Sequence, residues 1–319
     1  MAACGDGDAG TDEGADGGRP TVVVTTNILG DVVTNLVGDQ MTVVTILPAG
    51  VDPHEFQASA QQVQQIETAG VLIVNGGGFE EGILDVIESA EAGGVPVFAA
   101  LDSIDRVLVA SGHDEHGGED EHGGEDEHGG EDEHGGEDEH TGGDPHFFAD
   151  PARMAQAANG MVAFLTENVE GVDVAALQAR ANAYIAELEA LDAEVEATLS
   201  EIPANDRVLV TNHEVLAYFA DRYDFEVVGT VIPSGTTADG ASAGDLAELV
   251  EVIEREGVAA VFADTSSSVD LARTLAEEVG EIQVVELFSE SLGDPGSDGS
   301  TYLDMVRANA ERIRAALVG

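Results

Sequence analysis

The 319-residue chain has no lysine and no tryptophan, a single cysteine, and only 4% aromatic residues. One cysteine excludes an internal disulfide and any zinc site built from thiolates. The shortage of aromatics leaves Val, Leu, Ile and Ala to build the interior, and at 43% hydrophobic residues there is material for real cores. Basic residues are scarce too: 11, all arginine, against 64 Asp and Glu. Residues 113–140 hold 14 of these acids and residues 1–20 hold 5, which leaves 45 acids facing 10 arginines elsewhere. The body of the protein is therefore acidic in its own right. Such a surface repels phosphate backbones and attracts cations, which excludes nucleic acid as a partner. Two readings of the acidity stand side by side, cation handling and adaptation to a salty habitat. No run of about 18 apolar residues occurs, so no membrane-spanning helix is expected.

What is present is an alternation of short β-branched runs with helical patterns. Strands are expected at 21–25, 41–47, 71–75 and 95–99, with helices around 28–37, 59–69 and 79–91 between them. A second series has strands at 207–211, 225–231, 258–263 and 282–288, interleaved with helices at 215–223, 243–256, 269–279 and 302–317. Near-continuous apolar strands separated by helices imply parallel sheets covered on both faces. The fold class expected is α/β, with two parallel-sheet lobes. Residues 172–200 contain no Gly or Pro and space Leu177, Tyr184, Leu188, Leu191, Val195 and Leu199 by three, four or seven. That is one apolar stripe on a long helix, and a single rigid helix between the lobes would restrict hinge motion. The expected division is a tether at 1–20, a first lobe at 21–171, a linking helix at 172–202 and a second lobe at 203–319.

Two segments stand outside this pattern. Met1-Ala2-Ala3-Cys4-Gly5 resembles the end of a bacterial lipoprotein signal, in which small residues precede a lipidated cysteine. Cys4 is accordingly expected to carry lipid, with the Gly- and Asp-rich residues 5–20 as a flexible tether. From His116 the unit His-Gly-Gly-Glu-Asp-Glu repeats four times before His140. Gly pairs every six residues and dense acid preclude a packed core, so 113–143 reads as a solvated insertion in the first lobe.

All nine histidines fall into two groups. Six lie in the repetitive segment: His113, His116, His122, His128, His134 and His140. The others are His54, His146 and His213. His54 follows the second strand in Asp52-Pro53-His54, and the same tripeptide recurs as Asp144-Pro145-His146 ahead of a helix. His213 follows the first strand of the second series. Ligands of open α/β sheets bind at the carboxyl ends of strands, so His54 and His213 are placed to face a cleft between the lobes. Three imidazoles suit zinc, which binds nitrogen at roughly 2.0–2.1 Å in tetrahedral geometry.

At these residues the chain resembles the zinc- and manganese-binding solute-binding family, the ZnuA/TroA-like metal receptors of ABC transporters. The resemblance runs from Thr21 to Leu317. It is carried by Leu-Pro-Ala-Gly-Val-Asp-Pro-His-Glu-Phe (47–56), Asp-Pro-His-Phe-Phe-Ala-Asp-Pro (144–151), Asn-His-Glu-Val-Leu-Ala-Tyr-Phe (212–219), Tyr-Leu-Asp-Met-Val-Arg-Ala-Asn (302–309) and the His-rich insertion. It implies two lobes bridged by a long helix, Zn²⁺ between them (Mn²⁺ as the alternative), and an extracytoplasmic receptor that hands metal to an ABC permease. A monomer touching the membrane only through its lipid is expected. The ligands implied are His54, His146 and His213; manganese-type members often carry a carboxylate where His213 stands. The fourth position of the family is often an aspartate, and here Glu290 occupies it, which leaves direct ligation, a water bridge or no contact open. Glu55 and Glu214, beside ligand histidines, are expected to be solvated or to support the ligands from behind. The six loop histidines imply auxiliary low-affinity metal capture, with a solubilising spacer as the other reading. A three-histidine zinc hydrolase is a competing function, disfavoured because His213-Glu214 lacks the second histidine of His-Glu-x-x-His. A surface metal buffer or adhesin of the same family is the third.

Overall fold

In a computed structural model of the chain, residues 19–108, 143–280 and 282–318 are described. Cys4 and the six histidines of 113–140 lie outside these residues. Both sheets form where β-branched runs were expected. The first contains β1 (Thr21–Val24), β2 (Thr42–Thr45), β3 (Leu72–Val74) and β4 (Val97–Ala99), in the order β2-β1-β3-β4. The second contains β5 (Val208–Thr211), β6 (Glu226–Thr230), β7 (Ala260–Asp264) and β8 (Gln283–Leu287), in the order β6-β5-β7-β8. Every pairing in both is parallel, so the two sheets share one topology.

The helices of the first lobe are α1 (Asn27–Val37), α2 (Ala60–Glu67), α3 (Leu84–Ala92) and α4 (Pro151–Asn168). Local chemistry sets their starts. Thr26 caps α1 by accepting Leu29 N–H, Ser59 opens α2 with a capping box to Gln62, and Asp150 caps α4 with Pro151 at its first position. The second lobe carries α6 (Ala217–Tyr223), α7 (Ala243–Glu256), α8 (Asp270–Val279) and α9 (Tyr302–Val318).

Between the lobes runs α5 (Val174–Leu199), a 26-residue helix about 39 Å long. Its apolar stripe is fully committed: Leu177, Tyr184, Leu188, Leu191, Val195 and Leu199 are all buried. It packs on α1 and α4 of the first lobe and on α9 of the second. As a result one hydrophobic cluster continues from Val22 and Ile28 through Leu188 to Phe262 and Ile313, spanning both sheets. Only the outer faces form separate cores, one around Ile66 and Leu72 and the other around Val210 and Leu275. Polar contacts reinforce the join. Tyr302, at the start of α9, donates its hydroxyl to Phe148 O at 2.8 Å. Arg153 of α4 pairs with Asp150 and, at 2.7 Å, with Asp221 of α6, its guanidinium 4.8 Å from the centre of the Tyr218 ring. None of the described helices is long and apolar enough to cross a membrane.

Candidate metal centre

Both Asp-Pro-His tripeptides fold the same way. In each, the aspartate Oδ1 accepts the backbone N–H of the histidine two residues on, at 2.9 Å: Asp52 for His54 and Asp144 for His146. The side chain thus substitutes for the turn hydrogen bond, and the proline fixes φ between the two residues. This turn points each imidazole inward from its loop. His213 leaves the carboxyl end of β5, where Thr211 Oγ1 donates to His213 O at 2.6 Å. Glu290 follows β8. Its segment is held by Asn27 at the start of α1, whose side chain donates to Ser291 Oγ at 3.0 Å and accepts Leu292 N–H at 2.7 Å.

These four side chains, from loops as far as 236 residues apart, meet at one point. Glu290 Oε1 lies 2.8 Å from His54 Nε2, 3.0 Å from His213 Nε2 and 3.4 Å from His146 Nε2. All four donor atoms are within 4.8 Å of one another and all four residues are buried. A tetrahedral ion bound at about 2.1 Å requires donor atoms about 3.4 Å apart, a spacing that the observed separations, from 2.8 Å up to 4.8 Å, bracket. Three imidazoles and one carboxylate fit a divalent metal.

Carboxylates stand behind two of the three rings. Asp144 Oδ1 accepts His146 Nδ1–H at 2.7 Å, and Glu81 Oε1 accepts His54 Nδ1–H at 3.1 Å. Each fixes the tautomer that leaves Nε2 facing the centre. His213 Nδ1 is buried and has no hydrogen-bond partner among the described residues. Phe79 forms an apolar wall, its ring edge-on to His54 and His146 with centroids 5.2 and 5.6 Å away.

Glu81 reaches its place through the turn after β3. Gly76, Gly77 and Gly78 all have positive φ, a backbone that other residues rarely adopt, and a Cβ on Gly77 would lie 2.7 Å from Leu101 Cδ2. Beneath the turn, buried Glu80 accepts Asn75 N–H at 2.6 Å and the Thr25 hydroxyl. The orienting carboxylates are therefore Asp144 and Glu81, whereas Glu55 is exposed beside the interlobe cleft. A reader of the sequence has a partial signal for both: Asp144 is fixed in the repeated tripeptide, and Glu81 follows a glycine run at a strand's carboxyl end.

The electrostatics of the metal-free site follow from this packing. Burial alone would lower the His54 pKa, but hydrogen bonds to Glu290 and Glu81 lift it to about 10. Both ring nitrogens of His54 face carboxylate oxygens, which only accept, so in the absence of metal the surroundings favour its protonated form. His146 is likewise raised, with burial opposing and Asp144 prevailing. For Glu290, burial opposes ionisation, yet the charge of His213 and the three imidazole contacts hold it well below the usual carboxylate range. Behind it, burial and the nearby Glu290 push Asp264 up to about 6.

A family model described as "Zinc-uptake complex component A periplasmic" matches residues 22–316. The manganese-binding lipoprotein MntA of Halalkalibacterium halodurans is 26% identical over 318 residues, covering 99% of this chain and 94% of that protein. The zinc-binding protein TroA of Treponema pallidum is 28% identical, covering 97% of this chain and 92% of TroA. The solved structure of TroA superposes with a TM-score of 0.79 at 28% identity, over 95% of this chain and 100% of that one.

Proposed function

As the chain belongs to the zinc-uptake complex component A family of metal-binding ABC transporter receptors, we propose that its own cargo is Zn²⁺, held by His54, His146, His213 and Glu290. It is a binding protein and not an enzyme. The observation that carries the zinc reading is the convergence of three imidazole nitrogens and one carboxylate oxygen on a single buried point. Nitrogen-rich, four-donor tetrahedral sets favour zinc, and at a given N/O site divalent zinc outcompetes manganese. The alternative reading, a manganese receptor, draws on the manganese-binding relative. Loading exchanges protons for metal: His54 presents to Glu290 a proton that the incoming cation displaces. The metal then sits where water has little access, so release requires the lobes to part.

The wider reading is an extracytoplasmic monomer that delivers zinc to an ABC permease. Residues 21–171 and 203–319 act as its lobes and 172–202 as the link. The lipoprotein names of several relatives support Cys4 as a lipid anchor. The histidines of 113–140 serve as an auxiliary, low-affinity collecting segment, a reading that rests on the sequence.

Native mass spectrometry with metal competition tests the assignment. We expect one tightly held Zn²⁺ per chain that survives excess Mn²⁺ and disappears in the His54→Ala/His146→Ala/His213→Ala variant. Preferential retention of manganese, or zinc binding that persists in the triple variant, would overturn it.

A further inference from the structure

One loop of the second lobe touches both halves of the site. Residues 231–237 run alongside the carboxyl end of β5, where Ile232 N–H donates to Asn212 O at 2.8 Å and Glu214 N–H donates to Ser234 O at 3.0 Å. These bonds flank His213 on either side and tie the loop to that ligand's backbone. Beyond them the loop crosses to the first lobe. Thr237 Oγ1 donates to Asp52 Oδ2 at 2.6 Å, and Thr236 lies close enough to Glu81 to join His54 in lowering the pKa of that carboxyl group.

Asp52 and Glu81 are the two carboxylates that position His54. The first accepts its backbone N–H and the second its Nδ1–H. Consecutive threonines of one lobe therefore sit against the supports of a ligand belonging to the other, Thr237 by a direct hydrogen bond. Both threonines are only partly buried and Thr237 lines the open cleft between the lobes, so their bonds can break without disturbing a core.

We propose that Thr236 and Thr237 form a latch that makes the posture of His54 conditional on apposition of the lobes, and that this latch sets the rate at which metal leaves. They are positioning residues and contact no metal. With the latch made, Asp52 is anchored at Oδ2 by Thr237, Thr236 stands beside Glu81, and His54 is fixed toward the centre. With it broken, the loop bearing His54 and the segment bearing His213 lose their mutual tie, and the four-donor set opens along the lobe boundary. Groups hydrogen-bonded directly to a ligand typically contribute about 10- to 100-fold to metal affinity; the threonines act one step further out, and because the latch joins the two lobes its effect falls on dissociation. The inference rests on the metal-receptor reading above.

The test compares the full-length chain with Thr237→Val, which keeps shape and removes the hydroxyl, Thr237→Ser, which restores it, and Thr236→Val. Zn²⁺ dissociation is followed by stopped flow against a chromogenic chelator, alongside association rate and the melting temperature of the metal-free protein. Expected are a dissociation rate raised several-fold, up to about 10-fold, in Thr237→Val and less in Thr236→Val, near wild-type behaviour in Thr237→Ser, and unchanged association and metal-free melting. An unchanged dissociation rate, or a metal-free melting temperature that falls in parallel, would overturn the latch. If the wild-type chain holds no metal, the receptor reading itself fails, an outcome distinct from a wild type that binds and valine variants that match it.

Discussion

Asp144 grips His146 twice with one oxygen, accepting its backbone N–H at 2.9 Å and its Nδ1–H at 2.7 Å. One carboxylate thereby sets both the direction of the loop and the tautomer of the ring. Replacing Asp144 by Asn keeps the size but removes the charge that favours a ring proton at Nδ1. We expect Zn²⁺ affinity to fall about 10- to 100-fold in Asp144→Asn, read by chelator competition, with no loss of secondary structure by circular dichroism. Full affinity in the variant would show that the tautomer is set elsewhere.

The raised pKa of His54 gives a pH dependence with a definite sign. Its value of about 10 in the metal-free protein lies above the free imidazole value of 6.5. Protonation therefore stabilises the metal-free fold fully below about pH 6.5, and that contribution is lost as pH rises through about 10. Metal requires the neutral ring, so between these limits it competes with a bound proton. Zinc affinity should rise at least about tenfold per pH unit from 7 to 9, and calorimetry in buffers of different ionisation enthalpy should detect proton release. Flat affinity across this range would contradict an imidazolium at His54.

Removing residues 113–140 should leave the tight site intact. The chain on either side is already pinned: Asp144 N–H donates to Leu108 O at 2.8 Å, and the Tyr218 hydroxyl accepts Leu108 N–H at 3.1 Å while donating to Asp144 O at 2.8 Å. The deletion leaves residues 109–112 and 141–142, enough for an ordinary tight connection. One Zn²⁺ per chain should remain by native mass spectrometry, and loss of all tight binding would count against the three-histidine centre.

His213 is the ring without a carboxylate behind it, which makes it the tolerant position for a change of donor. In His213→Asp an oxygen replaces nitrogen and favours harder ions. The zinc-to-manganese affinity ratio should drop by about tenfold or more in paired competition titrations. An unchanged ratio would mean that selectivity comes from the geometry of the cage and not from this donor.

Much of this was legible in the linear chain, for local reasons. β-Branched runs located the eight strands of the described residues to within a few residues, because a strand buried on both faces needs apolar side chains at nearly every position. The stripe from Leu177 to Leu199 located the linking helix for the same kind of reason. Helix α4 was harder to delimit. Its buried face is largely alanine with Met154 and Met161, and alanine gives little contrast between a buried and an exposed side. Separate cores for two lobes were the natural expectation, yet α5 and α9 fuse the cores beneath both sheets into one.

At the site the division is sharper. The sequence by itself singled out three histidines as candidate ligands, since nine were present and six belonged to a repeat, and strand order placed His54 and His213 on loops at strand ends. It left Glu290 undecided, offered only the glycine run after β3 as a hint of Glu81, and gave no sign of Thr236 or Thr237 beside the residues that support His54. Those roles depend on which side chains become neighbours when segments more than 180 residues apart close on one another, as Thr237 does on Asp52. Residue type and spacing encode which groups can bind a metal. Only packing of the two lobes about α5 decides which carboxylate comes to lie among those histidines and which hydroxyls lie against their supports.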